Sequence, residues 1–223
     1  MLQYLIIDYV QKRTNMDIDV ILEKLKKIHS NPVCELEYDN PFHLLIAVIL
    51  SAQCTDKRVN KITPDLFAKW QTPEQYAKLT AEELIPYIKS CGYYNSKSKS
   101  IIEAAKSIVE DFGGEVPKTV EELMTLRGVG KKTANVVYAV AFGGDAIAVD
   151  THVRRVSNRL GLSDSQDVLK IEKDLNMLFP QAEWSTLHHL LIHHGRYVCS
   201  ARNPKCNECL LNTECKHFND GKK

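Results

Sequence analysis

The sequence predicts an all-α protein, and three observations carry that expectation. Apolar residues recur every three or four positions through most of the chain. Threonine, asparagine or aspartate marks where these periodic segments begin, and glycine or proline marks where they stop. Only Ala146 to Val149 reads like a strand, and it is too short to need a partner. At 223 residues the chain has room for one large or two modest domains, each with its own core.

Taken in order, residues 1 to 15 are an apolar and then basic lead-in with no assignable structure, and Met16 is a second candidate start. A first helix begins near Asp17, with Ile18, Ile21, Leu22, Leu25 and Ile28 on one stripe, and ends before Asn31-Pro32. Asn40-Pro41 supplies an N-cap and a first-turn proline for FHLLIAVILSAQ, which is apolar nearly all round and so belongs in the middle of a core. Its polar end puts Gln53 where a buried helix meets the surface, ahead of a helix opened by Thr55-Asp56. Thr72-Pro73-Glu74-Gln75 and Thr80-Ala81-Glu82-Glu83 both fit the capping box.

After a turn at Cys91-Gly92-Tyr93-Tyr94-Asn95 comes a helix with Ile101, Ile102, Ala105, Ile108, Val109 and Phe112 on one face, closed by Gly113. Thr119 opens a further helix that runs into Leu126. Beyond Asp150, helices are expected near 151 to 160, 166 to 178 and 183 to 194, stopped by Gly161, Pro180 and Gly195.

With 44% hydrophobic and 26% charged residues, the composition is that of an ordinary globular protein. No apolar run approaches the roughly 18 residues that span a bilayer, and no basic segment leads into a long apolar one at the N-terminus. The expected location is the cytoplasm, on the nucleoid in a prokaryote. The net charge is only +1, so polyanion binding must come from a local patch. The window Arg127 to Arg159 supplies one: Arg127, Lys131, Lys132, Arg154, Arg155 and Arg159 against Asp145 and Asp150.

Within that window, Leu126-Arg127-Gly128-Val129-Gly130-Lys131 ends one helix and begins another across a tight turn. Amides at a helix N-terminus bind phosphate, and glycine lets the phosphate come close. Lysine acts as a nucleophile only when neutral, a form favoured by cationic neighbours and a helix N-terminus. Lys132 has Lys131 beside it and lies in a first helical turn, which makes it the candidate nucleophile. Asp150 is a favoured N-cap for the helix that Thr151 and His152 begin, and it is also the candidate carboxylate partner of Lys132.

The tail carries Cys199-x6-Cys206-x2-Cys209-x5-Cys215. Four thiolates so arranged can hold a tetrahedral zinc or a [4Fe–4S] cluster, and the general chemistry leaves both open. Lys205 and Lys216 border these ligands and could touch phosphate. His188, His189, His193 and His194 are read as structural, because no acidic ligand is suitably spaced.

With these residues assembled, the sequence resembles endonuclease III, the iron–sulfur branch of the helix-hairpin-helix DNA glycosylases. The resemblance rests on LLIAVILSAQ with Thr55-Asp56, GYYNSKSKSI, GEVP, GVGKKTANVV, AVDTHVRRVSNRLG, HGRYVC and the cysteine spacing. It implies two helical domains flanking a DNA-binding cleft. A six-helix barrel would cover about 34 to 144, with the hairpin motif at about 119 to 142. Residues 1 to 33 would join 145 to 223 in a cluster domain. It also implies that Cys199, Cys206, Cys209 and Cys215 hold [4Fe–4S], and that the protein works as a monomer on duplex DNA bearing damaged bases or abasic sites.

The family's lysine falls on Lys132 and its aspartate on Asp150. The implied reaction flips the damaged base out of the duplex, at a cost of roughly a few kcal/mol. Lys132 then attacks C1′, the base leaves, a Schiff base forms, and β-elimination cuts 3′ to the abasic site. The implied substrates are oxidised or ring-saturated pyrimidines. Gln53 matches the residue that fills the vacated gap, and Tyr93 stands where the family usually has an aliphatic wedge. Arg127, Gly128, Val129, Gly130, Lys131, Thr151 and His152 complete the expected DNA contacts. Arg127 replaces a usual proline, and Cys54 replaces a usual alanine and is a candidate oxidation site. The alternatives are a monofunctional mismatch glycosylase of the same superfamily and a non-catalytic iron–sulfur protein that binds DNA.

Overall fold

A computed structural model describes residues 17 to 221, so the lead-in at 1 to 15 and Met16 lie outside the described residues. Among those described are twelve α-helices, three short 3-10 turns and no strand. The chain divides into two compact units. One is Cys34–Gly144; the other joins the segment ending at Val33 to the segment beginning at Asp145.

In the Cys34–Gly144 unit, α2 (Pro41–Ser51) is the central element. Every residue from Phe42 to Leu50 is buried. The helix packs against α3 (Asp56–Lys69), α6 (Tyr94–Phe112) and α8 (Lys131–Phe142). This is the place expected for a helix with no polar face, because only a position surrounded by neighbours hides all its sides. The short helices α4 (Pro73–Ala77) and α5 (Ala81–Ile88) pack around it. At α5 the Thr80 hydroxyl accepts from the Glu83 amide at 3.4 Å, while Glu83 accepts from the Thr80 amide at 2.8 Å. The reciprocal cap read from Thr-x-x-Glu is therefore present. At α4 the Gln75 side chain accepts from the Thr72 amide at 3.2 Å.

One expectation needs correction here. The helix opened by Thr119 is a single turn, α7 (Val120–Leu123). It stops before Leu126, whose amide instead closes a turn onto the Leu123 carbonyl at 3.2 Å.

The second unit packs α1 (Ile18–Ile28) through Ile18, Ile21, Leu22 and Leu25 against α11 (Trp184–Tyr197). The main pairing is α11 with α9 (Thr151–Leu160), and α10 (Val168–Leu178) and α12 (Lys216–Asn219) also lie against α9. Gly195 does not stop α11, which runs two residues past it. The reason is close packing: a Cβ on Gly195 would meet the His152 Cβ at 2.9 Å and Arg155 Nη2 at 3.1 Å. Glycine is needed there so that α9 can approach. Among the described residues no helix is long and apolar enough to cross a membrane.

Candidate active site

The hairpin forms where the Val129 amide donates to the Leu126 carbonyl at 3.1 Å and Gly128 turns with φ of +77°. A Cβ on Gly128 would also strike the Ser100 Cβ at 2.5 Å, so both backbone angle and space require glycine. Gly130 differs. Its φ is −90° and a Cβ there would meet nothing within 4 Å. Folding does not explain Gly130, which leaves close approach of a ligand to the backbone. Val129 is buried at 6% exposure and plugs the core, so only its backbone faces outward.

Gly130 is the N-cap of α8 and contributes no side-chain cap; no acidic residue occupies the first turn. By contrast α1, α2, α3, α9 and α10 are capped by Asp17, Asn40, Thr55, Asp150 and Asp167. Lys131 and Lys132 stand in the first turn of α8, and both are exposed, as is Arg127. Positive charge at a helix N-terminus opposes the macrodipole. The arrangement is unfavourable for the isolated helix and favourable once an anion is bound.

Two further exposed residues of this unit have unusual backbones. Gln53 has φ of +54° and Tyr93 +48°, the left-handed region that non-glycine residues seldom enter. Tyr93 leaves 66% of its surface in solvent. Held strain and an exposed aromatic ring together mark functional turns rather than packing. Lys97, which sequence reasoning passed over, braces both turns. It is buried at 5% exposure, and its Nζ donates to the Leu50 and Cys91 carbonyls, each at 2.8 Å. No sequence signal marks Lys97, since its spacing on α6 is that of an ordinary core-facing residue.

In the other unit, Asp150 caps α9: its Oδ1 accepts from the Val153 amide at 2.7 Å. It is half-buried, Thr151 beside it is exposed, and His152 is half-buried with Nδ1 3.2 Å from Arg155 Nη2. Of the basic residues grouped as one patch, two turn inward. Arg155 donates to the Gly195 carbonyl at 2.7 Å and the Cys199 carbonyl at 3.1 Å. Arg159 donates to the Ser200 carbonyl at 2.7 Å and to Cys199 Sγ at 3.3 Å. These guanidinium groups hold the cysteine loop, and the surface charge of the window is smaller than its composition implies.

Cys199, Cys206, Cys209 and Cys215 line one pocket, walled by Leu160, Val198 and Phe218. His194 Nε2 lies 3.6 Å from Cys209 Sγ. Burial pushes the Cys209 and Cys215 thiols up, and the other tail cysteines add to the effect. Thiols crowded this way ionise when a cation accepts them. Among the described residues no three His, Cys, Asp or Glu side chains gather tightly enough to hold one metal ion. The four sulfurs share a pocket without converging on a point, which suits a multi-iron cluster better than one ion. Lys216 pairs with Asp164 at 2.8 Å. The four histidines sit on α11, with His188 and His194 buried, as structural side chains would be.

A family model described as HhH-GPD superfamily base excision DNA repair protein matches residues 46–181. Endonuclease III of Bacillus subtilis is 51% identical over 200 residues, covering 89% of this chain and 91% of that protein. The Synechocystis endonuclease III is 50% identical over 196 residues, covering 87% and 90%. Among solved structures, a trapped endonuclease III–DNA covalent intermediate superposes with a TM-score of 0.88 at 46% identity, covering 93% of this chain and all of that one. The chain thus belongs to the HhH-GPD superfamily of base excision DNA repair proteins, in its endonuclease III branch.

Proposed function

We propose that this DNA glycosylase and AP lyase removes oxidised or ring-saturated pyrimidines from duplex DNA, with Lys132 as nucleophile and Asp150 as the assisting carboxylate. The observation that carries the proposal is the start of α8: a glycine cap with open space around it, followed by two exposed lysines. The α8 amides grip a backbone phosphate, and Lys131 adds charge to that grip. Lys132, one residue on, attacks the sugar. Its neutral Nζ bonds to C1′, the base leaves with the C1′–N bonding pair, and the iminium that forms acidifies the C2′ proton. Loss of that proton expels the 3′ phosphate.

Asp150 uses Oδ1 for its cap, and Oδ2 is the oxygen offered to the cationic sugar and to proton transfer. Gln53 fills the space of the extruded nucleotide, and the exposed Tyr93 ring wedges beside it. Thr151 and His152 flank Asp150 and contact the backbone. Cys199, Cys206, Cys209 and Cys215 hold a [4Fe–4S] cluster, with Arg159 and His194 directing N–H groups at two of the sulfurs. The cluster, when bound, supplies a redox-active centre and a rigid anchor for the tail.

Borohydride trapping on abasic-site DNA tests the lyase. The expected outcome is a covalent adduct that Lys132→Ala abolishes and Lys131→Ala retains; absence of an adduct with the parent protein refutes it. Asparagine caps helices about as well as aspartate. Asp150→Asn is therefore expected to keep the fold and DNA affinity while cutting turnover; near-parental turnover would reduce Asp150 to a cap.

A further inference from the structure

Three cysteines lie outside the tail, and two of them meet. Cys54 follows Gln53 in the turn between α2 and α3, and Cys91 closes the 3-10 turn that leads through Gly92 to Tyr93. Neither is in a disulfide. The Cys91 thiol is in hydrogen-bonding contact with that of Cys54. The 3-10 turn packs against the start-to-middle of the unit formed by α3 and α6. Cys91 is buried at 2% exposure, whereas Cys54 is half-buried.

The charges that face the pair are both cationic, Lys97 and Arg58. Burial and the Cys54 thiol push Cys91 up to about 11. Cys91 is thus the thiol held in reserve, and Cys54 is the one a reagent reaches first. Lys97 already ties the same two turns together through the Leu50 and Cys91 carbonyls. The sulfur contact therefore bridges two segments that are distant in sequence, each carrying a left-handed residue presented to solvent.

We propose that Cys54 and Cys91 are a peroxide-oxidisable thiol pair whose disulfide clamps the Gln53 turn to the Tyr93 turn and stops base extrusion. The regulatory half of this statement rests on the reading above that these turns replace and wedge the extruded nucleotide; the chemical half does not. Cys54, having released its proton to solvent, attacks one oxygen of a hydroperoxide. The O–O bond breaks, the departing oxygen takes up a proton, and Cys54 becomes a sulfenic acid. The Cys91 sulfur then attacks Cys54, forming the S–S bond; the sulfenic hydroxyl leaves as water with the Cys91 proton. Two thiols lose two electrons, and the peroxide is reduced to water and an alcohol, or to two waters when it is hydrogen peroxide. A thiol reductant reverses the bond and restores both turns.

The test uses the full chain treated with hydrogen peroxide, then alkylated and digested for peptide mass spectrometry. A Cys54–Cys91 linked peptide is expected, absent after dithiothreitol and absent in C54A. Excision of a damaged base should fall roughly 100-fold in the oxidised parent, the penalty for misplacing reacting groups by about 1 Å. Dithiothreitol should restore excision, and C54A should retain it through the peroxide treatment. C91A serves as a second variant, and C54A keeps the test decisive if the buried substitution fails to fold. Finding Cys54 and Cys91 separately alkylated after peroxide would overturn the proposal, as would a linked pair with undiminished excision. The mass measurement needs no activity. Failure of the reduced parent to trap abasic-site DNA would therefore sink the enzymatic reading and leave the thiol chemistry standing.

Discussion

Replacing Lys97 with methionine keeps the length and most of the volume of the side chain and removes its donors. The Leu50 and Cys91 carbonyls each lose a 2.8 Å hydrogen bond in a site where Lys97 is only 5% exposed, so water is poorly placed to replace it. Orphaning a buried acceptor costs about 1–3 kcal/mol, which for two acceptors gives roughly 2–6 kcal/mol. Relief from burying an ammonium returns part of that. Burial already pushes the Lys97 ammonium below its usual range, the expected sign for a buried cation. The net loss should be about 3 kcal/mol, and at ~2–4 °C per kcal/mol the melting temperature should drop by roughly 6–12 °C. Thermal unfolding followed by circular dichroism measures it. Because Lys97 braces both the Gln53 and Tyr93 turns, base excision should also weaken more than duplex binding does. A methionine variant within about 0.5 kcal/mol of the parent would show that the ammonium's burial cost cancels its bonds. In that case the bracing argument fails.

The two hairpin glycines should separate folding from binding. Gly128→Ala should destabilise the protein by about 1–3 kcal/mol through overpacking and a strained φ; Gly130→Ala should stay within ~0.5 kcal/mol of the parent but bind duplex DNA less tightly in fluorescence anisotropy. Equal effects in both assays would undo that division. Gly195→Ala reverses the usual helix rule: alanine ordinarily gains up to about 1 kcal/mol over glycine, yet here a loss of about 1–3 kcal/mol is expected from the clash with His152, measurable by denaturant unfolding. Burial first, and then neighbouring histidines, hold His189 and His194 down to about 4. The unfolded chain therefore binds more protons than the folded one as pH falls from 6.5 to about 4, and stability should drain across that window and level off beneath it. A denaturation midpoint flat across that range would contradict the assignment.

Much of the fold could be read in the sequence because its signals are local. A Thr-x-x-Glu box needs only four residues to make its two hydrogen bonds, and Asn40-Pro41 ahead of an unbroken apolar run admits few outcomes besides a central helix. The misreadings share a different cause. Gly195 looked like a stop because glycine ends helices, and only the approach of His152 and Arg155 from α9 gives it another purpose. Arg155 and Arg159 looked like surface charge because nothing local says that their guanidinium groups reach carbonyls some forty residues onward. The left-handed backbones of Gln53 and Tyr93, the Lys97 brace and the contact of Cys54 with Cys91 are all tertiary facts. No periodicity announces them. Lys132 was legible through the motif that surrounds it, whereas the vacancy of space around Gly130 was not.

The start of α8 is a helix that its own sequence leaves unfinished. An aspartate or serine in place of Gly130 would complete it from within, as such residues complete α1, α9 and α10, and the free protein would gain stability. That residue would then occupy the socket meant for a phosphate. A protein selected only for robustness would acquire the cap and lose its hold on DNA, so the missing cap records selection for a partner that finishes the helix from outside.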